Sequence, residues 1–187
     1  MMKYRSRLKR HESLLVVFLM VASSILIPMA QEAYAASACK PVKPIGKSVG
    51  KIDIGSTVMP IIPFTYPAGG VMEPQKTTEM LAMSARHMPL SSSIGTTVLA
   101  WHVNFNGCNS DLNALMYKDV GYRFKITDEN GVTRTYRITQ TTTVKKGAYK
   151  ASWFSIVGPR KLAMFTCSGA FVNGHYVNNY VIIAVPA

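Results

Sequence analysis

The chain has 187 residues, of which 48% are hydrophobic and 16% charged, enough apolar material for one domain with a real core. This composition excludes a disordered chain, a coiled coil and a disulfide-dense miniprotein. Lys and Arg number 21 against nine Asp and Glu, giving a formal net charge of +12. Outside a cell, a basic surface attracts anionic wall polymers or lipid headgroups, although an ordinary solvated basic face explains the charge equally well.

The amino-terminal segment predicts export. Five Lys and Arg precede an uncharged apolar run, Leu14–Ala30, whose length is near the lower limit of ~17 residues for crossing a bilayer. The basic flank is expected to stay cytoplasmic, so the rest of the chain faces outward. Ala33-Tyr34-Ala35 suits signal peptidase, which leaves a cleaved signal peptide and an uncleaved anchor both open. We therefore expect residues 1–36 to be a basic stub plus signal peptide or membrane anchor. The protein is then single-pass with an extracellular domain, or secreted if cleaved after Ala35.

The remaining sequence divides into a linker and one domain. Residues 37–51 are rich in Lys, Pro and Gly, typical of an extended linker, and residues 52–187 form the folded part. Alternating or apolar segments predict these strands: Ile52–Pro63, Thr96–Asn104, Tyr122–Asp128, Val132–Val144, Lys161–Cys167 and Tyr176–Val185.

Turns and a short helix complete this pattern. Asn130-Gly131 predicts a hairpin, and Ser110 can cap a short helix that runs through Tyr117. The stretch Pro67–Met88 reads as irregular. Many short strands without a long helix predict a single all-β sandwich or barrel.

Three cysteines occur in the chain, and an odd number in an exported protein leaves one unpaired. Cys39 and Cys108 are one candidate disulfide, although sequence alone does not fix the pairing. Cys167 ends an apolar strand, where the sheet would hold it beside a loop-lined opening. A buried, inert core cysteine is the commoner interpretation of such a position.

A nucleophilic thiol needs a partner that takes its proton or keeps it ionised. His102 ends the strand that begins at Thr96, and His175 lies eight residues after Cys167. Spacing favours His102 only slightly. The Cys and His residues lack metal-ligand spacing, and no Gly-rich phosphate loop is present, so we expect neither metal nor cofactor.

Together these segments resemble the sortase family, in particular its class F-like members. Thr166-Cys167 at the end of a hydrophobic strand is similar to the sortase active-site strand, and Gly95–His102 to the segment that delivers the catalytic histidine. Three further class F-like elements have counterparts: Gly70–Pro74, Leu112–Leu115 and Gly174–Ile182. Order and spacing hold from about Ile52 to Ala187. The resemblance implies a closed β-barrel of about eight strands with one or two short helices.

The resemblance also implies a reaction. Cys167 would attack a peptide carbonyl in the sorting signal, of the LPxTG type, of an exported protein, and His102 would act as general acid and base. The thioester would then pass to an amine of a cell-wall precursor or of another protein. No cofactor or nucleic acid takes part. His102 and Cys167 are expected in one cleft lined by Pro67–Met88 and by the loop after Asn104.

One departure from the family pattern concerns charge. The last strand of sortases carries an arginine where this chain has Val177, and Trp101 replaces the usual glycine before the histidine. Thr166, Asn178 and Asn179 are the candidates for supporting substrate or oxyanion. Other cations are considered for the arginine's part: Arg86, Arg123, Arg137 and, ~23 Å away along its strand, Arg160.

Two alternatives remain open on the sequence. One is a catalytically weak or inactive sortase-like barrel that binds sorting peptides or anionic wall polymer. The other is an unrelated exported β-sandwich adhesin in which Cys167 is part of a buried core.

Overall fold

The computed structural model describes residues 38–66 and 72–187. The predicted amino-terminal signal or anchor, residues 1–36, lies outside these described residues. Within them, no helix is both long enough and apolar enough to cross a bilayer.

Ten strands and two short 3-10 helices make up the described fold. The strands are β1 (Gly50–Asp53), β2 (Val58–Phe64), β3 (Leu81–Ser84), β4 (Thr96–Trp101), β5 (Asn104–Phe105), β6 (Cys108–Asn109), β7 (Arg123–Thr127), β8 (Thr133–Lys145), β9 (Lys161–Val172) and β10 (His175–Pro186). The helices are Asp111–Tyr117 and Ala151–Phe154. Eight strands close a barrel in the order β1-β2-β3-β4-β9-β10-β8-β7, and β5 pairs with β6. The predicted closed barrel with one or two short helices is thus confirmed.

Strands β4, β9 and β10 carry apolar side chains on both faces. One set of alternating residues, including Leu99, Met164 and Ile182, joins the core cluster inside the barrel. The other set, including Ala100 and Phe165, forms a separate outer cluster. Because Trp153 and Phe154 of the second 3-10 helix cover that outer cluster, the outer face of these three strands is partly protected from solvent. The candidate site lies on this outer face.

Two predicted boundaries at the start of the domain are wrong. The single strand expected over 52–63 is an antiparallel pair, β1 and β2, joined by a turn at Gly55, whose φ is +85° and whose amide donates to Asp53 Oδ1 at 2.8 Å. The stretch expected to be irregular contains β3, which pairs parallel with β2 and antiparallel with β4. All four residues of β3 are buried, so the strand lacks the alternation that marks a half-exposed strand.

The strand predicted to end at Cys167 continues to Val172. Its pairing with β10 shifts register between Tyr176 and Asn178, where Gly169 and Ala170 of β9 form a β-bulge opposite the single residue Val177; the φ of Gly169 is +80°. A turn at Asn173-Gly174 then leads into β10. Gly169 therefore bends a continuous strand where its sequence suggested a turn.

The helix and hairpin predictions are confirmed. Ser110 Oγ accepts a hydrogen bond from the Leu112 amide at 3.3 Å and caps the first 3-10 helix. The strands β7 and β8 pair antiparallel around Asn130-Gly131.

A disulfide joins Cys39 to Cys108, with their Cα atoms 4.6 Å apart, which confirms that candidate pair. The Ile45 amide also donates to Gln75 Oε1 at 2.8 Å. The described part of the predicted linker is therefore fastened to the domain at more than one point.

Candidate active site

Cys167 lies on the outer face of β9, two residues beyond Phe165, and is partly exposed. It is the free cysteine of the three. Burial raises the pKa of the Cys167 thiol, the charge of Lys146 and a hydrogen bond from it act to lower that pKa, and the charge of Glu73 acts to raise it. The net effect is a raised pKa, so at neutral pH most molecules carry the thiol and a minority the thiolate.

The register between β4 and β9 brings His102 next to Cys167. These strands are parallel, and their last paired residues are Trp101 and Thr166. His102 directly follows β4, and Cys167 follows Thr166 on β9. Extending the register by one residue would set the two opposite each other, at the spacing of about 4.8 Å between adjacent strands. Alternation directs both toward the outer face, following Ala100 and Phe165.

His102 is half-buried and has two described neighbours. Its Nε2 lies 3.3 Å from the carbonyl oxygen of Pro74, and its ring centroid lies 6.2 Å from that of Phe105. Since a carbonyl only accepts hydrogen bonds, this contact requires a proton on Nε2. The other ring nitrogen, Nδ1, is then free to exchange a proton when the ring is neutral.

Residues 72–74 run beside both members of the pair. Met72 packs on the outer cluster, the Glu73 charge acts on Cys167, and Pro74 contacts His102. Asn104 Nδ2 donates to the Tyr176 hydroxyl at 2.8 Å, which links β5 to β10.

The three residues predicted to support substrate or oxyanion do not all lie on the face of the sheet that carries Cys167. Thr166 is 2% exposed and donates from Oγ1 to the Trp101 carbonyl at 2.9 Å, on the interior side of the sheet. Asn178 pairs with Ser168, one position from Cys167, and so points away from the sulfur's face. Of the three, only Asn179 shares the face of Cys167, its direct cross-strand partner. The support of substrate or oxyanion by these three residues stays a prediction, and Asn179 is the one of them that shares the face of the sulfur.

The arginines considered from sequence are engaged elsewhere. Arg160 immediately precedes β9, and it donates hydrogen bonds to the Tyr136 hydroxyl and to the carbonyls of Ser92 and Leu90. Arg123 and Arg137 pair across β7 and β8. Arg137 also pairs with Val185, six residues along β10 from Asn179. Arg86 donates to the Tyr66 carbonyl at 3.0 Å, and its guanidinium carbon lies 5.5 Å from the centre of the Tyr66 ring.

Lys146 is the cation that acts on Cys167, and the sequence did not reveal it. It lies 21 residues before Cys167, with no local motif around it. Only the strand order β8-β10-β9 places the two near each other.

No group of three or more His, Cys, Asp and Glu is placed to hold a metal ion within residues 38–66 and 72–187. The chemistry available here is that of a thiol, an imidazole and an ammonium group on one face of a sheet.

Comparison with known proteins identifies the family of this barrel. A Sortase domain family model matches residues 51–187, and the chain belongs to the sortase family. With the closed barrel, this excludes the unrelated β-sandwich adhesin. A search of the curated proteins finds no match.

Several solved sortases share the fold. Sortase C-1 from Actinomyces oris superposes with a TM-score of 0.59 at 19% identity, covering 76% of this chain and 75% of that chain. Sortase A from Corynebacterium diphtheriae gives 0.59 at 17% identity, covering 78% and 63%. Sortase C from Clostridium perfringens SM101 gives 0.56 at 12% identity, covering 80% and 72%.

Proposed function

We propose that this chain is a sortase-type cysteine transpeptidase in which Cys167 is the nucleophile and His102 the general acid and base. The observation that supports the proposal is the parallel β4–β9 register, since its extension by one residue would set His102 beside Cys167 on one partly protected face. A thiol and an imidazole so placed can perform acyl transfer without a cofactor.

The reaction runs in two steps. The Cys167 thiolate attacks the scissile carbonyl of the substrate, and the resulting tetrahedral intermediate collapses as protonated His102 gives its proton to the departing amine. The product is an acyl thioester on Cys167. An incoming amine, losing a proton to the now neutral His102, displaces the sulfur and regenerates the thiolate, and water does so as a side reaction.

The pKa of Cys167 shapes the pH dependence of this reaction. Burial holds the thiol pKa above its ordinary range, so the reactive thiolate fraction grows as pH rises. The leaving amine takes its proton from the imidazole.

Two neighbours hold the pair in place. The buried hydroxyl of Thr166 ties the end of β4 to β9 at the residues that immediately precede His102 and Cys167. Asn179 donates from Nδ2 to the Thr166 carbonyl at 3.0 Å and accepts from the Tyr149 hydroxyl at 2.8 Å. We propose positioning roles for Thr166 and Asn179.

The substrates we propose are exported proteins with a carboxy-terminal sorting signal of the LPxTG type. The acceptor is an amine of a cell-wall precursor or of another protein. The Lys and Arg that precede the apolar run Leu14–Ala30 support placement at the cell membrane, or secretion after cleavage at Ala35. The sequence elements Gly70–Pro74 and Gly174–Ile182 support the class F-like subtype.

A weak or inactive barrel that binds sorting peptides is the second candidate. It is favoured by Asn179, which is neutral and already uses both ends of its amide beside the sulfur. Such a barrel would bind peptide without turnover.

Chromatographic assay of LPxTG-type peptides with a glycine-based amine acceptor separates these candidates. We expect cleavage and transfer by the wild type, lost in Cys167→Ala and reduced at least about 100-fold in His102→Ala. Peptide binding without cleavage by the wild type would favour the inactive barrel. Neither binding nor cleavage across a panel of sorting peptides would refute both.

A further inference from the structure

We propose that Lys146 is a catalytic residue that supplies the positive charge at the Cys167 nucleophile and at the oxyanion formed from the substrate carbonyl. This inference rests on the proposed function. The last strand carries Val177 where the family pattern has an arginine, and Lys146, which follows β8, would supply the positive charge instead.

The strand registers place Lys146 on the same face as the sulfur. Val144 pairs with Asn179, and Asn179 pairs with Cys167, so the three form one row across β8, β10 and β9. Directly opposed residues project to the same side of a sheet, and Val144 does pack against the outer cluster. Lys146 is the first residue after β8, two residues beyond Val144, and its amide donates to the Val177 carbonyl at 3.3 Å, which extends the alignment with β10 past the end of the strand. Continued alternation would direct its side chain to the face of Cys167.

The electrostatics of the Cys167 thiol agree with this placement. The Lys146 ammonium acts on the Cys167 thiol through its charge and through a hydrogen bond, and both favour the thiolate. Lys146 is exposed, so its flexible four-carbon stem can follow negative charge from sulfur to oxygen. Within the described ranges 38–66 and 72–187, the ion pair found is Arg134–Asp128, so Lys146 forms no direct ion pair with a described carboxylate.

Other groups around the sulfur cannot supply this charge. Glu73 is an anion, and Tyr149 and Asn179 are neutral and bonded to each other at 2.8 Å. His102 is needed to protonate the leaving amine. As the S–C bond forms, the carbonyl electron pair moves to oxygen, and Lys146 donates a hydrogen bond to that oxygen while keeping its proton. Loss of one such donor in other enzymes lowers turnover about 10²–10³-fold.

The chain offers a matched control for testing this. Lys145 is the adjacent residue and is also exposed, but it pairs with Asn178 and so points to the opposite face. Lys145→Gln and Lys146→Gln lose the same charge, and thermal melting verifies that both fold. Two readouts are needed: the pH dependence of Cys167 alkylation by iodoacetamide without peptide, and kcat and KM for cleavage of an LPxTG-type peptide.

For Lys146→Gln we expect the alkylation midpoint to move to higher pH and kcat to fall about 100-fold, with KM changed far less. Lys146→Arg should retain most of the wild-type kcat, and Lys145→Gln all of it. Coincident alkylation profiles and kcat values for Lys145→Gln and Lys146→Gln would overturn the inference, as would peptide found attached to Lys146. Absence of cleavage by the wild type would instead refute the proposed function, and the catalytic role of Lys146 with it.

Discussion

Asn179 lies directly opposite Cys167 across the β9–β10 pair, and its amide is held at both ends. It donates to the Thr166 carbonyl and accepts from the Tyr149 hydroxyl. The sulfur thus has a fixed, neutral partner on the last strand. Positive charge comes to it from Lys146 and negative charge from Glu73.

Glu73→Gln should make Cys167 more reactive near neutral pH. The Glu73 charge acts to raise the pKa of the thiol, so its removal lowers that pKa and enlarges the thiolate fraction. The rate of iodoacetamide alkylation against pH measures this directly. Glu79→Gln, the same substitution six residues along the chain, is the control; equal profiles for the two variants would show that the Glu73 carboxylate does not act on the sulfur.

Thr166→Val should destabilise the fold by about 1–3 kcal/mol, because it leaves the buried Trp101 carbonyl without its hydroxyl donor. Urea unfolding of the variant measures the loss. The bond also fixes the end of β4, so kcat should fall together with stability. Thr143→Val is the control, since Thr143 is exposed on β8. A Thr166→Val variant as stable as this control would contradict the role assigned to the hydroxyl.

Gly169→Ala should cost more stability than Gly174→Ala. The two glycines have nearly the same φ, +80° and +79°, where an L-residue pays about 1–2 kcal/mol. A Cβ at Gly169 would also lie 2.7 Å from Asn178 Nδ2, whereas nothing lies within 4 Å of one at Gly174. The difference between the two free energies of unfolding reports on crowding at the bulge. Equal losses would show that the bulge relaxes freely.

Replacement of Cys39 and Cys108 by Ser should lower the free energy of unfolding by about 4 kcal/mol, through the entropy of a long closed loop in the unfolded chain. The two cysteines are 69 residues apart in sequence. Denaturant unfolding of the double variant, and of the wild type with and without reductant, measures this. A wild type insensitive to reductant would show that the crosslink adds nothing to stability.

The elements that the sequence predicted correctly are those with a local signal at a turn or a helix cap. The β7–β8 hairpin followed from Asn130-Gly131, and the first 3-10 helix from the capping residue Ser110. In contrast, β3 is buried on both faces and has no alternation to reveal it. Gly169 gives the same local signal in a bulge as in a turn, so the sequence predicts an end of the strand at Cys167, whereas β9 continues to Val172.

The residues of the candidate site also differ in how far the local sequence could reveal them. Cys167 and His102 could be proposed because each stands at the end of an apolar segment in the sequence that resembles a sortase motif. Lys146 could not, because its approach to the sulfur depends on two successive strand pairings, β8 with β10 and β10 with β9. The side-chain directions of Thr166 and Asn178 likewise depend on which alternate residues of β9 and β10 point to the outer face.

The most direct measurement is the mass of the protein after incubation with LPxTG-type peptides in the absence of an amine acceptor. We expect an acyl adduct on Cys167 that hydroxylamine releases, absent from Cys167→Ala and strongly reduced in His102→Ala. No adduct across a panel of sorting peptides, with the folded thiol still open to alkylation, would contradict it, as would undiminished adduct formation by His102→Ala.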